Sequence, residues 1–334
     1  MKTCCREKDF SIKRCMAHYF EKVEPVPVAR SAEPEEPYVD TTPLRSLIMK
    51  MAWPARKVLS TIAYGVSVAA QQVTTATVEL ARTCNKLLAT AKAEVAAGRC
   101  QQTYRRVDLG RPCIVTFFDA SYGQESDGHS QAGFYSLATD ESVLTQTTAA
   151  NPVEHSTNKI KRVVKSTFAA EGSSMSLAID RHLYARLLFQ ALMYGESSCH
   201  LDDDWRGHLK VSGYLVTDAK SLYDHLHTTG SMPSERSAML DLLGAKELID
   251  QGIIKLRWCP TQLQFADHLT KTMKSDIISE FILHGQVSLT QTAEQASVEV
   301  HKSTLRQGQR QRRKVRMKKT MAAESNAVFY HVSR

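Results

Sequence analysis

The chain has 334 residues, 43% of them hydrophobic, and a formal net charge of +8. That length supports one substantial core and a smaller second one, and it excludes a short disulfide-stapled scaffold. The charge is uneven: nine Lys/Arg and no Asp/Glu lie between Lys302 and Lys319, so the remainder is close to neutral. The eight cysteines contain no CxxC pair, which fits reduced thiols inside a cell better than a disulfide or zinc framework.

Residues 1–39 carry Glu24-Pro-Val-Pro and Glu33-Pro-Glu-Glu-Pro37, and this composition predicts a disordered N-terminal tail. The charged start (Lys2, Arg6, Glu7, Lys8) has no apolar run behind it and does not read as a signal peptide. Over 40–105 the pattern is helical. Leu44, Leu47, Ile48 and Met51, then Leu80, Leu87, Leu88 and Ala91, recur at three- and four-residue spacing, predicting two or three packed helices. Val58 to Val78 is uncharged and long enough to span a bilayer, but Ser60, Thr61, Ser67, Gln71, Gln72, Thr74, Thr75 and Thr77 crowd it. That polarity is costly in lipid, so no membrane span is expected.

The period changes at Cys113. Cys113 to Phe118 is a β-branched and aromatic strand ending at Asp119, and Ala132 to Leu137 is its hairpin partner. Lys159 to Val164 alternates and predicts a third strand. A long helix follows from Ser166 or Thr167, as N-cap, to about Met193. Val211 to Thr217 predicts a fourth strand, and Lys220 to His227 a short helix. Ser234 caps a helix ending near Gly252, Ile253 to Cys259 is a fifth strand, and a last helix runs from about Gln264 to Leu283. The order implies an α/β domain over 106–285, with a mixed five-stranded sheet flanked by helices. Residues 286–334 are polar, then basic, and are expected to be disordered.

Four carboxylates fall at corresponding places. Asp119 ends the first strand, Glu171 lies one turn into the long helix, Asp218 ends the fourth strand, and Asp267 opens the last helix. In an α/β sheet these positions can face one crevice, where four acids repel unless divalent cations neutralise them. Hard oxygen ligands suit Mg²⁺ or Mn²⁺, and two such ions can clamp a phosphodiester. A lone Asp at a strand end is ordinarily a turn residue; the combination carries the signal.

Asp119-Ala-Ser-Tyr-Gly followed by Ser130-Gln-Ala-Gly-Phe134 resembles the opening hairpin of ribonuclease H domains in Ty1/Copia-type retrotransposon Pol polyproteins. Lys159 to Glu171 resembles the segment in which that family's helix glutamate follows a Ser-Thr pair. Val216-Thr-Asp-Ala-Lys-Ser221 is similar around the third acid, and Trp258-Cys-Pro-Thr with Gln264-Phe-Ala-Asp-His-Leu-Thr-Lys271 is similar around the fourth. Trp53-Pro-Ala-Arg, Ala63-Tyr-Gly-Val-Ser67 and Asn85-Lys-Leu-Leu88 resemble the connection between reverse transcriptase and ribonuclease H. The similarity runs from about residue 44 to 283.

This resemblance implies a ribonuclease H-like fold and endonucleolytic cleavage of RNA in RNA–DNA hybrids. Asp119, Glu171, Asp218 and Asp267 would be both catalytic residues and ligands of two Mg²⁺ or Mn²⁺ ions. The implied partners are the hybrid and the remaining Pol polyprotein with its reverse transcriptase. Gly172 after the helix glutamate and a long 196–208 loop depart from the pattern, which leaves open a second reading, an inactive relic that only binds nucleic acid. His268, beside Asp267, is a candidate for assisting proton transfer. Tyr38-Val39-Asp40 lacks the second aspartate of a polymerase loop, since Thr41 stands there, so no polymerase activity is expected.

The basic tract (Arg310, Arg312, Arg313, Lys314, Arg316, Lys318, Lys319) is a candidate nucleic-acid arm, and it is compatible with nuclear import. The expectation is an intracellular protein of the cytoplasm and nucleus. Each neutralised phosphate contributes about 0.9 to the salt slope on B-form DNA. Truncation after Val300 should therefore weaken hybrid binding and flatten its salt dependence, with single-turnover cleavage of bound hybrid nearly unchanged. Equal affinity and slope, measured by titration at several salt concentrations, would rule out the arm.

Overall fold

The computed structural model describes residues 2–6, 11–108, 110–123, 128–198, 205–227, 236–273 and 275–290. The basic tract, residues 199–204 of the long loop and the expected cap Ser234 lie outside them.

Strands β1 (Lys2–Arg6) and β2 (Ile12–Cys15) open the chain, followed by a 3-10 turn over Ala17–Lys22. Three helices come next: α1 (Thr41–Lys57), α2 (Ala63–Gln72) and α3 (Val78–Ala96). Asp40 caps α1 and Thr77 caps α3 through their side-chain oxygens. Strand β3 (Gln101–Tyr104) pairs with β2 and completes a small antiparallel sheet in the order β1-β2-β3.

The second half is built from β4 (Pro112–Ser121), β5 (Gln131–Asp140), the short β6 (Thr148–Ala149) and β7 (Asn151–Lys159). Then come α4 (Thr167–Tyr194), β8 (Ser212–Thr217), α5 (Lys220–His227), α6 (Arg236–Asp250) and β9 (Lys255–Trp258). Helix α7 (Asp276–His284) and β10 (Gln286–Val287) follow, β10 pairing with β6. The main sheet has the order β7-β5-β4-β8-β9. Its first three strands are antiparallel and its last three parallel, sharing β4 in the centre. This is the expected α/β class, with a mixed five-stranded sheet flanked by helices.

All of β4 is buried, because both faces of the sheet are covered. The period-2 alternation divides the strand between two cores. Phe118, with Phe134 and Leu215 of the neighbouring strands, packs against Met175 and Ile179 of α4, Leu222 of α5 and Leu242 of α6. Cys113, Val115 and Phe117 face the other way, joined by Tyr135, Leu137 and Val216. That second core is closed by α7 (Ile278, Phe281) and by the helical segment, including Leu44, Met51, Ile62 and Leu88. The segment at 40–105 is thus a layer of the same core as the sheet, and the expected boundary near residue 105 is crossed by continuous packing. None of the helices among the described residues is long and apolar enough to cross a membrane.

Four expectations need correction. Residues 1–39 are not a disordered tail as a whole, since Met16, Phe20, Val23 and Val26 are buried in the second core. The Pro/Glu-rich stretch lacks regular structure but is tied down by α3. Asn85 accepts from the Val26 N–H at 2.9 Å and donates to its carbonyl at 2.9 Å, and Arg82 donates to the Ala32 carbonyl at 2.7 Å. The third strand is Asn151–Lys159, ending where Lys159–Val164 was expected to begin. It is the outer strand of the sheet, where Pro152 and a run of polar residues are tolerated. The last helix is not continuous from Gln264: two 3-10 turns, Thr261–Leu263 and Asp267–Leu269, precede α7, whose cap is Ser275. Finally, residues 286–290 are not part of a free tail, because β10 is paired and Leu289 is buried.

Phe117→Ala in the full chain should cost about 3–5 kcal/mol, read from the urea midpoint, whereas Val163→Ala at an exposed loop position should change stability by under about 0.5 kcal/mol. A chain starting at residue 106 should bind a hydrophobic dye and show no cooperative transition. A sharp transition would show that the sheet stands without its helical layer.

Candidate metal centre

Asp119 lies within β4 and Asp218 directly follows β8, its parallel neighbour. Adjacent parallel strands end side by side, so the two carboxylates meet at one edge of the sheet. Asp267 reaches the same point from the second 3-10 turn after β9, Asp267–Leu269. One carboxylate oxygen from each of Asp119, Asp218 and Asp267 lies within 4.8 Å of the others, a group that could hold a metal ion. Glu171 does not share that span. It projects from the second turn of α4, accepts from the Ala120 N–H, and feels the charges of Asp119 and Asp218. Three of the four expected acids therefore form one group, and the fourth is coupled to it electrostatically.

The turn can reach the sheet because residue 133, paired with Asp119, is glycine. A Cβ there would meet the Leu269 Cβ at 2.7 Å, so only a bare backbone lets the 267–271 turn lie against β5. Thr270 donates its hydroxyl to Asp119 Oδ2. Gln264 spans the two strand ends, donating to the Phe118 carbonyl at 3.0 Å and to Asp218 Oδ1 at 3.3 Å. Trp258 donates its indole N–H to the Asp218 carbonyl at 3.0 Å, and Ser174 of α4 donates to the Asp119 carbonyl at 2.6 Å. Each acid is held by a neighbour that leaves carboxylate oxygens facing the cluster.

The electrostatics are those of crowded, buried like charges. Burial raises the Asp119 carboxyl to about 7, with Asp218 and Asp267 adding to the shift and the Thr270 hydroxyl and Lys271 opposing it. Burial, followed by the charges of Asp119 and Asp218, holds Glu171 well above its ordinary value. Burial also raises Asp267, against the pull of Lys271, whose ammonium lies 2.8 Å from Asp267 Oδ1. Glu171 Oε2 is buried without a hydrogen-bond partner. An orphaned, buried carboxylate oxygen beside three more acids fits a divalent cation bound through hard oxygen ligands.

His268 does not face this cluster as a proton carrier. It is 2% exposed and packs beside Tyr135 in the second core. Burial lowers it to about 3, helped by neighbouring His155, so it is neutral at ordinary pH. His225 and His227 sit on α5 against Phe168 and Tyr223. The residues that the sequence reading missed are Thr270, Lys271, Gln264 and Ser174. Three of them lie inside Gln264 to Lys271, where a matching pattern was visible but not what each side chain touches.

No protein-family model matches the sequence, and no curated protein is similar enough to count as a match. Solved structures resembling the chain include ribonuclease H1 from Halobacterium salinarum NRC-1, at 15% identity over 47% of this chain and 93% of that one, with a TM-score of 0.30. Another is LC11-RNase H1 in complex with an RNA/DNA hybrid, at 14% identity over 47% of this chain and 93% of that one, TM-score 0.29. A foamy viral protease-reverse transcriptase in complex with double-stranded DNA covers 74% of this chain and 35% of its own length, at 9% identity and a TM-score of 0.39.

The pH dependence of stability follows from the sign of these shifts. A carboxyl raised in the folded state binds more protons there than in the unfolded chain, so it stabilises the fold at low pH and loses that contribution as pH rises. For Asp119 the window runs from its ordinary value of 3.8 to about 7. Without divalent metal, urea midpoints should fall across that range, Asp119→Asn should flatten the fall, and Mn²⁺ should restore stability above it. Identical profiles for the two proteins would contradict the assignment.

Proposed function

We propose that this chain is a divalent-metal-dependent ribonuclease H that cuts the RNA strand of RNA–DNA hybrids, within a Copia-type Pol polyprotein. The observation that carries the reading is the cluster itself: Asp119, Asp218 and Asp267 within 4.8 Å of one another, with the orphaned Glu171 oxygen coupled to it. The sequence resemblance from residue 44 to 283 supports the choice of substrate.

Asp119, Glu171, Asp218 and Asp267 would hold two Mg²⁺ or Mn²⁺ ions, which when bound supply Lewis acidity toward the phosphodiester and lower the pKa of a water nucleophile. The protein contributes position. Ser174, Trp258 and Gln264 fix the two strand ends, so the carboxylates need not reorganise during reaction. The hydrolysis adds water across the scissile P–O bond and leaves 3′-hydroxyl and 5′-phosphate ends, the polarity that the resemblance implies. Hybrid shape and 2′-hydroxyl contacts, with no base readout, would give RNA-strand selectivity.

A labelled hybrid incubated with purified protein, with and without Mg²⁺, tests the reading. Cleavage confined to the RNA strand and dependent on metal is expected, together with no primer extension on a primed template. Asp119→Asn, Glu171→Gln and Asp218→Asn should each lower the rate by about 100-fold or more, the scale on which removing one preorganised electrostatic partner acts. Asp267→Asn should be milder and partly rescued by Mn²⁺, because that carboxylate is already shared with Lys271. Full activity in any of the first three, or metal-independent cleavage, would sink the assignment. A folded protein that binds hybrid and cuts nothing would favour the inactive relic.

A further inference from the structure

The acid cluster already contains a positive charge. Lys271 follows the turn that carries Asp267, four residues along the chain, and its ammonium lies 2.8 Å from Asp267 Oδ1. Its field also bears on Asp119 and Glu171. The Lys271 side chain is 37% exposed while that of Asp267 is 4% exposed, so the ammonium enters the site from its solvent side on a flexible four-carbon stem.

We propose that Lys271 is an internal counter-cation that occupies the acid cluster in the metal-free protein and competes with the divalent ion for it. The inference rests on the reading of this cluster as a metal site, and it adds a residue that sets how strongly the metal is held.

Several buried carboxylates in one place cost a great deal unless a cation is near. One ammonium reduces the repulsion but leaves work undone. It lies 2.8 Å from Asp267 Oδ1 as an ion pair, yet that oxygen and Glu171 Oε2 are both buried without a hydrogen-bond partner. The cluster therefore accepts more positive charge than Lys271 supplies, and a divalent ion with inner-sphere oxygen ligands supplies it. For that ion to take the Asp267 oxygen, the Lys271 pair must open, and the cost of opening is subtracted from the metal's intrinsic affinity. Lysine suits this role. Its ammonium is a compact charge on a mobile stem that can swing into water, whereas a planar guanidinium bound by two parallel hydrogen bonds is harder to dislodge. The same pair offsets part of the repulsion among the acids when no metal is bound.

Mn²⁺ binding to the full chain, followed by the loss of the free-ion electron paramagnetic resonance signal, reads this competition without any nuclease assay. Lys271→Met keeps the stem and removes the charge, and it should bind Mn²⁺ about tenfold tighter than the parent, which corresponds to about 1.4 kcal/mol. Lys271→Gln is a second neutral variant and should move in the same direction. Lys271→Arg keeps the charge and should bind no tighter than the parent. Without metal, both neutral variants should melt at lower temperature than the parent, and Mn²⁺ should raise their melting temperature by more. Unchanged or weaker Mn²⁺ affinity in a folded neutral variant would overturn the proposal while leaving the metal site standing. Failure of every protein, parent included, to bind Mn²⁺ would overturn both.

Discussion

Buried like charge is the constraint around which this protein is arranged. Asp119, Glu171 and Asp267 are each less than a tenth exposed, and water cannot screen them from one another as it would on a surface. A fold tolerates that only where the surrounding structure over-determines their positions. Here the determination comes from several directions: Ser174 from the long helix, Gln264 and Trp258 from the segment after the last strand, and Thr270 from the turn. None of these groups neutralises the cluster; they hold the acids where repulsion would push them apart. The stability this costs is met elsewhere, by a sheet buried on both faces.

The two faces do different work. Helices α4, α5 and α6 on one side deliver Glu171 and anchor the β4 backbone. On the other side, the helical layer touches the turn that carries Asp267. His155 donates to the Ala55 carbonyl at 2.7 Å, stacks on Tyr135, and Tyr135 in turn lies beside His268. A polar link at the same interface joins Gln131 of β5 to Ser67 of α2 at 3.0 Å. A chain of packed rings and hydrogen bonds thus runs from α1 to the residue next to an acid. It is why a segment that looks like a connector in one dimension behaves as scaffold in three.

Much of this was legible in the residues. The strand at β4 announced itself through β-branched and aromatic alternation, and α4 through Ser166, whose side chain does cap it by accepting from the Ala169 N–H at 3.1 Å. The acids could be nominated because strand ends and first helical turns recur at one edge of an α/β sheet. What failed was wherever tertiary context outweighs local pattern. Strand β7 hides behind Pro152 and polar residues because an outer strand needs only one good neighbour. The Gln264–Leu283 run has apolar spacing fit for one helix, yet its first half is bent into a 3-10 turn, and Thr270 there donates to Asp119 of β4. The Pro/Glu-rich stretch looked unstructured because its order comes from Asn85 and Arg82, 59 and 50 residues along the chain from the groups they hold.

The shared core has a consequence for how such a chain can change over generations. Val115, Phe117 and Tyr135 of the sheet pack in one cluster with Leu44, Met51 and Ile62 of the helical layer, so the two halves must be inherited together. A recombination junction near residue 105, which looks like an ideal seam by its position between helices and strands, would join a sheet to helices shaped for a different partner. Complementary changes should therefore accumulate in pairs across that seam, as at Gln131 and Ser67, while the helix surfaces facing solvent drift freely. The seam is a boundary of topology and not of packing.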